Sequence, residues 1–254
     1  MKEFLSFAEA LADASRAMLI EAARRSHEGE MKADGSPVTA IDRAVEARLR
    51  EMITHAYPDH GIVGEEHGAA DPDSGHVWVL DPIDGTLPFL AGIPVYGTLI
   101  ALLRGGVPVI GVIDMPATAE RWVGARGTPT IRNGEAVRVR PCDDLSYALL
   151  STSNIDFYGD CDRSALERLK AATRWTVYGG SCMAYAQIAS GRIDVGLDVA
   201  FDVFDYLALA PVIEGAGGVV TDWQGAPLTM ASGDRFIAAG DARVHDAALR
   251  VLAE

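Results

Sequence analysis

Apolar residues fall at helical spacing in some stretches of the chain and in short strand-length runs in others. Residues 3–27 place Leu5, Ala8, Leu11, Ala12, Met18 and Leu19 near one helical face, with the small Ser15 among them, which predicts an amphipathic helix. Residues 28–38 are polar and hold Gly29, Gly35 and Pro37, so they read as a loop. A second helix is predicted over 39–55, with Ile41, Val45, Leu49, Met52 and Ile53 on one face, Thr39 as N-cap and Pro58 past its end. Ile62-Val63 reads as a short strand entering Gly64-Glu65-Glu66. Val77 to Leu80 reads as another, ending at Asp81, because Pro82 has no N–H with which to continue a ladder.

A β-rich section follows. Residues 96–104 and 107–113 flank Gly105-Gly106 as a hairpin, and 121–124 and 128–131 continue the pattern. Asn133-Gly134 marks a tight turn before 137–139. These segments suggest an antiparallel sheet flanked by the first two helices. Composition changes near Pro141-Cys142, which divides the chain into an N-terminal domain, 1–141, and a C-terminal domain, 142–254. In the second, strands at 148–151, 175–178, 195–197, 219–220 and 236–239 alternate with helices at 163–172, 181–190, 204–214 and 242–253, which implies an α/β half.

The net charge of −14 argues against a nucleic-acid partner, which wants a basic face. Cys142, Cys161 and Cys182 have no metal-type or disulfide spacing, so a reducing compartment fits. There is neither a signal-peptide start nor an apolar run of about 18 residues, so no membrane association is expected and the cytoplasm is the expected location.

The candidate chemistry is carboxylate. Asp81 and Asp84 sit at the mouth of an apolar strand, where charge is expensive unless neutralised. A hard divalent cation such as Mg²⁺ neutralises it well and keeps waters for chemistry. Glu65 follows the strand at Ile62, Asp205 starts an apolar helix, and Asp42 lies early on the second helix. Each has a plain structural alternative. Asp205 could cap its helix, Asp42 could sit on a solvated first turn, and Glu65-Glu66 could be ordinary surface.

Gly64-Glu65-Glu66, Asp81-Pro82-Ile83-Asp84-Gly85-Thr86, and Asp205 ahead of Glu214-Gly215-Ala216-Gly217-Gly218 resemble the inositol monophosphatase family, the Mg²⁺-dependent, lithium-sensitive phosphatases. Lys32-Ala33-Asp34-Gly35-Ser36-Pro37-Val38-Thr39 with Asp42 resembles that family's N-terminal motif, and the likeness runs from the first helix to the last. The resemblance implies an α+β / α/β layered sandwich, with an antiparallel sheet in the N-terminal half and a mixed sheet in the C-terminal half. It implies that Glu65, Asp81, the Ile83 carbonyl, Asp84 and Asp205 hold two to three Mg²⁺ ions, with Asp84 bridging two. Glu66 would support a third ion or its waters. Asp42 and Thr86 would orient the attacking water, with Glu65 in the catalytic set. Gly85 and Thr86 N–H groups would cradle the phosphate, Lys32 would favour anions at the mouth, and a homodimer is implied.

Within that family, Gly97 to Leu102, Glu120-Arg121-Trp122, Tyr178-Gly179-Gly180 and Tyr206 to Pro211 resemble the histidinol-phosphate phosphatase branch. L-histidinol phosphate is therefore the expected substrate. Two departures loosen that expectation. Ser181 stands where the branch commonly has an Asp, and Asp198 stands where the family's substrate-side acid is usually Glu. Both positions are expected to contact substrate, and Asp198 could equally be a strand-end surface residue. Inositol 1-phosphate or another sugar phosphate is the alternative substrate, and a non-catalytic metal-binding member is the alternative class.

Overall fold

Helices and sheets stack in alternating layers in the computed structural model, which describes residues 1–32, 35 and 37–254. Ala33, Asp34 and Ser36 of the N-terminal motif lie outside the described residues. The first part contains α1 (Lys2–Ala22), β1 (Glu30–Met31), β2 (Pro37–Val38), α2 (Ala40–Ala56), β3 (Gly61–Gly64), β4 (Gly68–Ala70), β5 (His76–Asp84) and α3 (Thr86–Ala91). Then come β6 (Gly97–Arg104), β7 (Val107–Met115), β8 (Glu120–Ala125), β9 (Ile131–Arg132) and β10 (Glu135–Ala136). The remainder holds β11 (Leu149–Thr152), α4 (Asp160–Ala172), β12 (Trp175–Tyr178), α5 (Ser181–Ala189), β13 (Val195–Asp198), α6 (Val203–Tyr206) and α7 (Leu209–Gly215). It closes with β14 (Val219–Thr221), β15 (Phe236–Ala239) and α8 (Ala242–Leu252).

One eight-stranded sheet runs β10-β9-β8-β7-β6-β5-β3-β4. It is antiparallel except at one pair, since β3 and β5 run parallel. The exception follows from the connection. The chain turns back from β3 into β4, then crosses to lay β5 on the other side of β3. The second sheet, β12-β11-β13-β15-β14, is mixed as expected, with β11 parallel to both its neighbours and β15 antiparallel to both of its own.

Strand alternation divides the core. Trp78 and Leu80 of β5 pack with Leu11 and Leu49 of α1 and α2. Val77 and Val79 point the other way, into a cluster with Tyr185, Leu209 and Val212 of α5 and α7 and Phe236 of the second sheet. Thus α5 and α7 fill the space between the sheets. Glycines permit the approach, because a Cβ on Gly111 would lie 2.0 Å from the Ala208 carbonyl oxygen. On the far face of the second sheet, Leu166 and Leu169 of α4 and Val244 and Ala248 of α8 pack on Leu197 and Ile237.

Three expectations are corrected. The first helix stops at Ala22 rather than 27. The apolar face ends there, and the His27 ring donates through Nε2 to the Ala22 carbonyl at 2.7 Å. Strand β5 continues through Pro82 to Asp84, because the ladder with β6 is interrupted by a bulge between Asp81 and Asp84. The missing proline N–H falls inside that bulge, and Thr98 Oγ1 donates to the Pro82 carbonyl at 2.9 Å. The single helix expected over 204–214 is two, α6 and α7. Pro211 has no N–H for a continuous helix, but it fits within a first turn, so the chain restarts at Leu209. Among the described residues, no helix is long and apolar enough to cross a membrane.

Candidate active site

The bulge at the end of β5 turns Asp81 and Asp84 toward the N-terminus of α6, where Asp205 lies. One carboxylate oxygen from each of these three lies within 4.8 Å of the others. Each side chain is held from its own side. Asp84 Oδ2 accepts the Cys182 N–H at 2.6 Å from the start of α5. Asp205 Oδ2 accepts the Asp202 N–H at 2.7 Å in a reciprocal capping box. The capping role weighed for Asp205 is therefore real, and it leaves the other oxygen available. Asp81 is almost completely buried, and its Oδ1 has no hydrogen-bond partner among the described residues.

Glu65 approaches Asp81 from the end of β3. Lys32 Nζ donates to Glu65 Oε1 at 2.7 Å and to Glu66 Oε1 at 2.6 Å. Burial works against the Lys32 ammonium, but these two carboxylates outweigh it and hold its pKa above the usual value. One ammonium does not balance the cluster. Burial, then the nearby charges of Glu65, Asp84 and Asp205, pushes Asp81 well above the carboxylate range. Asp205 is likewise pushed well up, and Asp84 up, chiefly by burial. Burial lifts Glu65 to about 7 in spite of Lys32. Converging carboxylates with an orphaned buried oxygen suit a hard cation and are poorly suited to anything else.

Asp42 is fully buried at the first turn of α2 rather than solvated. Its Oδ2 accepts the Thr39 N–H at 2.8 Å, and Thr39 caps the helix as expected. Asp42 Oδ1 lies 3.2 Å from Thr86 Oγ1, which is also 3.1 Å from the Ile83 carbonyl oxygen. Gly85 adopts φ +83, and a Cβ there would lie 2.8 Å from Ser181 Oγ and 3.0 Å from the Val95 carbonyl oxygen. Only glycine fits between β5 and Ser181.

Ser181 reaches the cleft, in a left-handed conformation of φ +45. Asp198 is placed differently from the expectation. It is 2% exposed and is absent from the cleft surface. Oδ1 accepts from Ser153 N–H at 2.7 Å and Thr152 Oγ1 at 3.1 Å. Oδ2 accepts from Ser153 Oγ at 2.9 Å and the Tyr185 hydroxyl at 2.5 Å. These donors draw it inward. Arg121 and Trp122 also stay outside the cleft; Arg121 pairs with Asp114 and Asp13, and Trp122 is buried.

The cleft encloses about 440 Å³. Its floor is acidic, and its wall is formed by Ser153, Asn154, Phe157, Ala200, Phe201 and Phe204. The sequence reading missed that wall. Its loops follow the carboxyl ends of β11 and β13, where open α/β sheets place ligands, and that rule would have found them. Also missed was Glu46, fully buried, which accepts the Glu66 N–H at 2.6 Å and Arg50 Nε at 2.6 Å and so fixes the Glu65-Glu66 turn.

A family model described as the inositol monophosphatase family matches residues 1–254. The chain is 40% identical over 261 residues to the bifunctional phosphatase IMPL2, chloroplastic, of Arabidopsis thaliana, across 99% of this chain and 75% of that protein. It is 36% identical over 202 residues to a histidinol-phosphatase of Mycobacterium tuberculosis, across 77% of this chain and 78% of that one. Among solved structures it resembles an inositol monophosphatase from Zymomonas mobilis, with a TM-score of 0.91 and 37% identity over 100% of this chain and 98% of that one.

Proposed function

This chain belongs to the inositol monophosphatase family and is a phosphatase; from that premise we propose that it is a Mg²⁺-dependent phosphomonoesterase whose substrate is L-histidinol phosphate. Glu65, Asp81, the Ile83 carbonyl, Asp84 and Asp205 would hold two to three Mg²⁺ ions, with Glu66 in support. When bound, Mg²⁺ offsets the carboxylate charge, acidifies a water and screens the phosphoryl oxygens. The chain's own residues then order the reactants for in-line displacement. Thr86 can donate its one hydroxyl proton to Asp42, which leaves oxygen lone pairs to orient the attacking water. Gly85 and Thr86 N–H groups at the start of α3 serve as donors to the phosphate, and Lys32 adds positive charge at the mouth. On this reading residues 1–141 supply most ligands, and residues 142–254 supply Asp205 and the substrate side.

The substrate reading rests on the wall. Phe157, Phe201 and Phe204 suit a flat, partly apolar ring such as imidazole, whereas a cyclic polyol presents hydroxyls all round. The name of one similar protein, the histidinol-phosphatase of Mycobacterium tuberculosis, supports it. The second reading, inositol 1-phosphate or another sugar phosphate, draws support from the neutral Ser181 hydroxyl and from similarity to a probable inositol 1-monophosphatase at 33% identity. Phosphate release from the two esters in the presence of Mg²⁺ decides between them, and turnover of neither would remove both. A homodimer in the cytoplasm completes the proposal. The exposed Trp175 and Tyr178 on edge strand β12 support the dimer, and light scattering on the purified protein tests it.

A further inference from the structure

We infer that Asp202, rather than Asp198, is the carboxylate that recognises the cationic amine of the substrate; this rests on the histidinol phosphate reading above. An amino-alcohol phosphate brings an ammonium into the cleft, and an ammonium in a cleft needs an acceptor of opposite charge. Ser181 carries no charge. Asp198 faces four donors, from Thr152, Ser153 (two) and Tyr185, which fill the lone-pair sites of a carboxylate. Turning it toward a ligand would leave a buried tyrosine hydroxyl and the Ser153 N–H unpaired. Its role is to fix Ser153, and through it the wall.

Five carboxylates line the cleft among the described residues: Glu65, Asp81, Asp84, Asp205 and Asp202. The first four converge on the acidic floor. Asp202 is joined to Asp205 through its main-chain N–H, but its own side chain is exposed, and no ion pair involves it among the described residues. Its Oδ1 accepts the Val203 N–H at 2.6 Å, so the carboxylate is fixed in direction at the N-cap of α6. It lies between Phe201 and Phe204, so one loop carries both the apolar surface for a ring and the charge for an amine. That loop is turned into place through Ala200, whose φ of +58 is unusual for a residue with a Cβ.

Asp202→Asn removes the charge and keeps a good N-cap oxygen, so the fold is preserved. The readout is the ratio of kcat/KM for histidinol phosphate to kcat/KM for inositol 1-phosphate. Asp202→Asn is expected to lower that ratio about three- to tenfold, through KM for the amine-bearing ester. Asp202→Glu is expected to restore most of it. Asp198→Asn is expected to slow both esters alike. The inference is overturned if Asp202→Asn leaves the ratio unchanged while Asp198→Asn lowers it. It is also overturned if Asp202→Asn raises the Mg²⁺ requirement equally with both esters, which would assign Asp202 to the metal group. If the wild-type protein does not turn over histidinol phosphate, the parent reading fails and takes the inference with it. If the wild type does so and Asp202→Asn behaves like it, only the inference falls.

Discussion

The floor of the cleft brings one carboxylate oxygen each of Asp81, Asp84 and Asp205 within 4.8 Å of the others and leaves a buried oxygen of Asp81 without a hydrogen-bond partner among the described residues. The wall opposite it carries one carboxylate, Asp202, and is otherwise uncharged and internally satisfied, down to the four donors that surround Asp198 behind it. The floor is therefore unstable as an isolated set of charges and is completed by something from outside. The wall is complete already and can only select. The contrast separates two kinds of dependence. Changes to the floor should act on the chemical step with every ester, and changes to the wall should act on the choice among esters.

The largest effect belongs to the floor. Asp84→Asn should lower kcat by ~10³ with either ester, since single charge-stabilising groups commonly carry about 10²–10³; wild-type rates in a phosphate-release assay would remove Asp84 from the site. Gly85→Ala comes next. The added Cβ meets Ser181 and the Val95 carbonyl at a left-handed φ, so a melting curve should show a loss of about 1–2 kcal/mol, and activity should fall with both esters. Thr86→Ala, which keeps the helix and removes the hydroxyl, should lower kcat about 100-fold with little change in KM. Phe157→Ala, on the wall, should raise KM for histidinol phosphate only about fivefold and leave inositol 1-phosphate nearly unaffected. Equal losses on both esters would break the distinction between floor and wall.

A pH experiment sharpens the same contrast. Burial first, with the Glu66 charge adding to it and Lys32 opposing it, lifts Glu65 from 4.5 to about 7 in the folded chain. A raised folded pKa means that folding favours the protonated form. The associated stability is fully present below about pH 4.5 and is lost as pH rises through about 7. The metal-free protein should therefore melt at progressively lower temperature from about pH 5 to about pH 8. Saturating Mg²⁺ should flatten or reverse that slope, because a cation favours the ionised carboxylates. The same slope with and without Mg²⁺ would contradict a cation-binding floor.

The floor was legible in the sequence because its pieces are local. An apolar run, two aspartates three apart, a glycine and a threonine are contiguous, and Glu65 and Asp205 each mark the end of an element. The core was legible through periodicity, as in the alternation of Val77 and Val79 against Trp78 and Leu80. What escaped was set by tertiary contacts. Pro82 reads as a stop in isolation, but Thr98 across the ladder turns it into a bulge. Asp198 reads as a strand-end carboxylate, and its direction depends on Ser153 and Tyr185, 45 and 13 residues away in the chain. The phenylalanines of the wall share no period and no motif. Only the packing of two loops beside the ends of β11 and β13 brings them together.

The most direct test is a side-by-side determination of kcat/KM for L-histidinol phosphate and inositol 1-phosphate at saturating Mg²⁺, repeated after the metal is removed by chelation. The account predicts turnover that depends on Mg²⁺ for both esters and a preference for histidinol phosphate of at least about tenfold. Undiminished turnover after chelation would contradict the cation-binding floor, and a preference for inositol 1-phosphate would contradict the selecting wall.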